Sequence, residues 1–210
     1  MPIVQQKSNE LLQYILWENE INNLSLHPKD EEGLLAVLHP QKRLEYRNSR
    51  FCLQTLCENA SIRYAGIVKD ENGKPFLMNY PAISIAISHI KTHAATVVAL
   101  QEKVVVGIDL EQISDKIVKI APRVLHPKEL DYAQQNAVQL TVIWSAKETL
   151  YKLQGRKGIT FHSQLFIHPF VLEKSGQLLG EMHLDTRSYW VELTYEVYSN
   201  FVLTYAALKL

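Results

Sequence analysis

Cysteine is nearly absent from the 210 residues: only Cys52 and Cys57 occur, five apart. That is not the short spacing of a zinc or redox pair, so buried reduced thiols are expected. Net charge is absent too, because 22 Lys and Arg balance 22 Asp and Glu. A neutral chain lacks the broad electrostatic footprint of a duplex nucleic-acid binder, although a local basic cluster around a small anion remains open. No apolar run approaches the ~18 residues of a membrane span. The opening MPIVQQKSNELLQ has no basic start followed by an apolar core. These absences lead to the expectation of a cytoplasmic protein that engages neither nucleic acid nor membrane. Low-complexity stretches and long linkers are also missing. What is left is ordinary globular material, 47% hydrophobic and 21% charged, long enough for one large domain or two small ones.

Apolar residues at Leu11, Leu12, Ile15 and Leu16 form a short helical stripe over residues 8–21, with Tyr14 and Trp17 leaving a strand open. Residues 40–59 read as a helix with Pro40 in the first turn. DENGKP at 70–75 is a turn by composition. AISIAIS (82–88), AATVVAL (94–100) and VVVGIDLE (104–111) read as strands. Two short helices are expected at 116–125 and 127–136, broken at Pro127. The clearest helix is VQLTVIWSAKETLYKLQ (138–154). Strands are then expected at 159–167, 178–185, 188–197 and 201–209, with an SGQ turn at 175–177. Helices precede strands once in each half. This order suggests an α+β protein of two similar α/β lobes, 1–103 and 104–210.

VVVGIDLE ends an apolar strand in two acids. Alternation puts Val104, Val106, Ile108 and Leu110 on one face and Val105, Gly107, Asp109 and Glu111 on the other. The two acids are then roughly 7 Å apart and able to converge on one ion. Gly107, on the same face, would leave room for a ligand. An isolated pair of this kind usually just ends in solvent. In the 138–154 helix, Val142, Ala146, Thr149, Leu150 and Leu153 form an apolar stripe, while Glu148 and Lys152 lie one turn apart on its flank. As an exposed pair these two would contribute only about 0.3–0.5 kcal/mol. As a third carboxylate with a lysine beside it, they would complete an oxygen-ligand set of the kind Mg²⁺ takes. Three clustered carboxylates repel one another unless a cation is present. Ser88-His89 at a strand end and Lys74 on a turn could add an anion site.

In order, NGKP (72–75), ISH (87–89), VGIDLE (106–111) and WSAKETLYK (144–152) resemble the motif series of the 4'-phosphopantetheinyl transferases. The length resembles the two-lobed, surfactin-synthetase-activating type. The resemblance implies lobes related by pseudo-twofold symmetry, with the active site in the cleft between them. It implies transfer of the 4'-phosphopantetheine arm of coenzyme A to a serine of an apo acyl or peptidyl carrier protein, releasing 3',5'-ADP, by an enzyme acting as a monomer. It assigns Asp109, Glu111 and Glu148 to Mg²⁺, and Glu148 also to the serine proton. Lys152 falls to the coenzyme A phosphates, Ser88 and His89 to phosphate oxygens, and Lys74 to the adenine and ribose end. Arg43 and Arg50 fall to the 3'-phosphate, on a looser match. Two departures stand out. Ile90-Lys91 follow the Ser-His pair where many relatives have Ser-Gly, and Leu110 lies where some carry a further acid. A different Mg²⁺-dependent phosphoryl-transfer enzyme would leave NGKP, Ser88-His89 and Lys152 unexplained. A module that binds coenzyme A or a carrier without turnover would be expected to lack a ligand acid, and none is missing.

Overall fold

A computed structural model describes residues 2–21 and 24–210. The chain divides into two compact units, Met1–Val106 with Lys209–Leu210, and Gly107–Leu208. Among the described residues no helix is long and apolar enough to cross a membrane.

In the first unit, β1 (Ile3–Ser8), β2 (Leu12–Glu18), β5 (Ile85–His89) and β6 (His93–Ala99) form a sheet in the order β1-β2-β6-β5. Every neighbouring pair in it is antiparallel. The stretch 8–21 is therefore not a helix. Leu12 to Trp17 are all buried because β2 lies between two strands and beneath a helix. A strand covered on both faces has no polar–apolar alternation, so periodicity alone misreads it. The covering helix is α2 (Pro40–Asn59), which starts at Pro40 as expected. Cys52, Leu53, Leu56 and Cys57 of α2 pack with Ile15, Trp17, Ile85 and Val98. Both cysteines are free and buried, and burial pushes each thiol up to about 12. Helix α1 (Pro28–Leu35) and the hairpin of β3 (Ile67–Lys69) and β4 (Pro75–Leu77) are short elements that hydrophobic patterning had not marked.

In the second unit, β7 (Val104–Gln112), β8 (Leu165–Ile167), β9 (Ser175–Leu184), β10 (Arg187–Val197) and β11 (Phe201–Lys209) form a sheet in the order β7-β11-β10-β9-β8. Helices α3 (Lys116–Val124), α4 (Pro127–Ala133) and α5 (Ala137–Gln154) come between β7 and β8. The Asn136 side chain caps α5 by accepting from the amides of Val138 and Gln139. Gly155 ends the helix in the left-handed conformation, φ 74°. Only Leu165–Ile167 of the expected 159–167 strand is extended; Phe161–Gln164 form a single turn, α6. The SGQ segment is no turn either, because Ser175–Gln177 begin β9 and pair with Thr194–Glu196. The fold class is α+β.

Gly107 does not leave room for a ligand. A Cβ built there would collide with the Thr149 carbonyl of α5 and lie 3.2 Å from Leu153 Cβ. The glycine instead lets the α5 backbone settle onto β7, and that approach brings the helix to the strand's acids. Gly107→Ala is expected to cost about 1–3 kcal/mol through overpacking. Urea unfolding would measure it, and a neutral result would mean that α5 can move off β7 freely.

Candidate active site

Asp109, which the alternation rule places on the outward face, is only 2% exposed because α5 covers that face of β7. A buried carboxylate requires partners. Lys152 Nζ donates to Asp109 Oδ1 at 2.7 Å, and Ser145 Oγ donates to Asp109 Oδ2 at 2.9 Å. Ser145 also lies 2.9 Å from Thr204 Oγ1, which is 2.6 Å from Thr149 Oγ1. One residue further along the helix surface, Trp144 Nε1 donates to Glu111 Oε1 at 3.0 Å. Thus Trp144, Ser145, Glu148 and Lys152 lie on the flank of α5 that meets β7.

The three carboxylates lie within electrostatic reach of one another. Burial first, and the Asp109 charge second, push Glu111 up to about 7; Glu148 raises it further, while Trp144 and Lys152 oppose the shift. Burial and then Asp109 push Glu148 to about 7 as well, against Lys152. As placed, no three His, Cys, Asp or Glu side chains among the described residues converge tightly enough to hold an ion. In charge and chemistry the donor set nevertheless suits a hard divalent cation: oxygen ligands only, partly desolvated, with repulsion that a cation would relieve.

These shifts fix a pH dependence. Between the ordinary glutamate range, near 4.5, and about 7, the folded protein binds more protons than the unfolded chain at Glu111 and Glu148. Stability without divalent cations is therefore expected to fall as pH rises through that window. Melting temperatures in EDTA at pH 5 and pH 8 would check this. Added Mg²⁺ should raise the pH 8 value more than the pH 5 value.

Residues 105–206 match the family model of the 4'-phosphopantetheinyl transferase superfamily. The match supports the superfamily over that segment, just under half of the chain. No curated protein matches the chain. Members transfer phosphopantetheine from coenzyme A to carrier proteins. The matched segment contains Asp109, Glu111, Glu148 and Lys152, the residues that β7 and α5 bring together.

The remaining candidates lie in the first unit, outside the superfamily match. Lys74 follows the Asp70–Gly73 turn, where the Asp70 carboxylate accepts from the amides of Asn72 and Lys74. Burial holds the Lys74 ammonium below its usual range, with Asp70 opposing. Lys74 helps line a cavity of about 380 Å³ together with Phe76, Pro81, Ser84 and Lys103. Ser88 is buried in β5. His89 Nδ1 lies 3.3 Å from Glu45 Oε2, which also accepts from Lys42 at 2.6 Å. Arg43 Nη1 donates to the carbonyls of Leu34 and Val37 and so closes the end of α1. Arg50 is largely buried, with Asp30 at 3.4 Å and the Tyr46 ring 4.5 Å away.

Sequence reasoning gave Ser145 and Trp144 no role, and it placed Lys147 in the motif without assigning it any chemistry. The first two could have been found, since they precede Glu148 by three and four residues and so share its face. Thr204 carried no local signal. Lys147 is fully buried and ion-paired with Glu129 of α4. It also donates to the Phe161 carbonyl at 3.0 Å, while Glu129 accepts from the amides of His126 and Ile167 at 2.7 Å each. This pair joins α4, α5, α6 and β8, and it is structural.

Proposed function

We propose that the chain is a Mg²⁺-dependent holo-carrier-protein synthase of the two-lobed type, with lobes 1–103 and 104–210. It would move the 4'-phosphopantetheine arm of coenzyme A to a serine of an apo acyl or peptidyl carrier protein. The observation that carries this reading is the grouping of Asp109, Glu111 and Glu148 along β7 and α5, close enough that burial and the Asp109 charge push both glutamates up. These three would hold Mg²⁺, which supplies charge neutralisation of the pyrophosphate and polarisation of the phosphorus under attack.

The rest of the reaction is assigned to the chain's own groups. The carrier serine Oγ forms a bond to the phosphorus on the pantetheine side. The bridging P–O bond breaks, and 3',5'-ADP leaves with that electron pair. Glu148, shifted to about 7, accepts the serine proton directly or through water, since such a base is about half ionised at neutral pH. Lys152 exchanges Asp109 for a phosphate oxygen of coenzyme A. Ser88 and His89 contact further phosphate oxygens, and the Lys74 cavity receives the adenine and ribose end. Arg43 and Arg50 are assigned to the 3'-phosphate on the looser match, beside Lys74, Ser88, His89 and Lys152 for the rest of coenzyme A.

Carrier domains are acidic helical bundles. The exposed Lys116, Lys119, Ile120, Arg123 and Lys128 on α3 and the start of α4 offer basic and apolar groups for such a partner. The protein is proposed to act as a cytoplasmic monomer. The test is intact-mass spectrometry of several apo carrier proteins after incubation with this protein, coenzyme A and Mg²⁺. The expected result is a gain of one phosphopantetheine mass that EDTA abolishes. Coenzyme A binding without any gain on any carrier would favour a binding module.

A further inference from the structure

The turn that follows His89 is held from two sides. Residues 90–92 join β5 to β6, and their three carbonyls all accept hydrogen bonds from outside the hairpin. Asn19 Nδ2 donates to the Ile90 and Lys91 carbonyls at 3.2 Å each, and the Asn19 amide donates to the Thr92 carbonyl at 2.8 Å. Gln41, in the first turn of α2, adds a donor to the Lys91 carbonyl at 3.2 Å. The side-chain amide of Gln41 has two protons, and the other goes to Glu45 Oε1, also at 3.2 Å. Ile90-Lys91, which departs from the Ser-Gly of many relatives, is thus fixed by Asn19 and α2.

Glu45 extends this clamp to the His89 ring. It is only 3% exposed, and its Oε2 accepts from Lys42 at 2.6 Å and lies 3.3 Å from His89 Nδ1. Burial opposes its charge, yet the hydrogen bonds from Lys42 and Gln41, together with the His89 ring, hold its carboxyl below the usual glutamate range. A carboxylate at Nδ1 favours a proton on that nitrogen. A neutral imidazole has one N–H, so a ring protonated at Nδ1 can donate from Nε2 only as imidazolium. An ionised phosphate oxygen only accepts. A ring that donates to Glu45 and to a phosphate at once is therefore a cation, and Glu45 supplies its counter-charge. Other charged or titratable groups at this end of the sheet are Lys42, which shares Glu45 Oε2, Lys91 in the turn, and His93, paired with Glu18 across β6 and β2.

We infer that Glu45 is a positioning residue for coenzyme A: it orients the His89 ring through Nδ1 and keeps it cationic, so that Nε2 donates to a phosphate oxygen. This inference rests on the proposed role of His89 at the coenzyme A phosphates. A purely structural Glu45 would act on coenzyme A equally with or without the His89 ring. A positioning Glu45 acts only through it.

The test reads the ring first and the ligand second. Imidazole nitrogen and carbon NMR signals of the protein without coenzyme A report tautomer and protonation, and His89 is assigned by its loss in His89→Ala. Glu45→Gln keeps the shape of the side chain and removes its charge. It is expected to mix the two neutral tautomers at high pH and to move the His89 titration midpoint to lower pH. Coenzyme A affinity is then measured by calorimetry with Mg²⁺ at neutral pH. Glu45→Gln should weaken it about tenfold, the scale of a hydrogen bond to a charged group, and should add nothing in the His89→Ala background. If Glu45→Gln does not fold, Glu45→Asp, which withdraws the charge by one methylene, carries both readouts with smaller shifts in the same directions. Unchanged ring signals in a folded variant, or an equal loss of affinity in both backgrounds, overturn the inference; if His89→Ala still weakens binding, the phosphate role of His89 stands. A His89→Ala protein with wild-type affinity for coenzyme A overturns that role and the inference together.

Discussion

Glu148→Gln is expected to lower phosphopantetheine transfer by at least about a hundredfold at every pH, the usual minimum for losing a general base. The same change should raise the melting temperature in EDTA at pH 8. The two effects have one origin. Burial and the neighbouring Asp109 hold Glu148 near 7, so above that pH the folded protein carries an ionised carboxylate against its preference. A neutral amide removes that repulsion and with it the proposed proton acceptor and one proposed cation ligand. Transfer is read by intact mass and stability by thermal melts. A rate near wild type would remove Glu148 from both roles. Lost activity with a lower melting temperature would mean that Glu148 supports the fold instead. Asp109→Ala should also abolish transfer. It should cost stability as well, since it strips Lys152 and Ser145 of their shared acceptor.

The second large effect lies away from the chemistry. Lys147→Met is expected to destabilise the second unit by about 3–5 kcal/mol. Lys147 and Glu129 are both fully buried. Burial pushes the Glu129 carboxyl up and the Lys147 ammonium down, and each charge offsets part of that penalty for the other. Removing the lysine leaves a buried carboxylate with only two backbone amides, and it leaves the Phe161 carbonyl without its donor. The double variant Lys147→Met with Glu129→Gln should recover much of the loss, because no unpaired charge remains. Urea unfolding of both variants decides the cause: a double variant no more stable than the single one would show that packing, not charge, sets the cost.

Much of the fold was legible where one face of an element meets solvent. Helix α2 begins at Pro40 as its sequence suggests, and α5 carries both its apolar stripe and an end signal in Gly155. Legibility failed where burial surrounds an element. Leu12–Trp17 look helical because they are apolar on both faces. Asp109 was expected on an open face, and Gly107 beside space. Both misreadings share a cause, since nothing in VVVGIDLE reports that a helix encoded some forty residues later will lie across it. Phe161–Gln164 resemble a strand by composition but form a turn whose Phe161 carbonyl meets Lys147.

The sequence by itself determined the chemical inventory: two strand acids spaced by one residue, a glutamate and a lysine one helical turn apart, and an ordered motif series that points to one superfamily. Those are properties of local spacing, which period 2 and period 3.6 convert directly into shared faces. Only the tertiary structure decided how the acids are held. The Ser145–Thr204 contact joins residues 59 apart, and Trp144 reaches Glu111 across 33. Such contacts arise because a buried carboxylate must find donors wherever the packed chain supplies them, and no local pattern encodes which donors those will be.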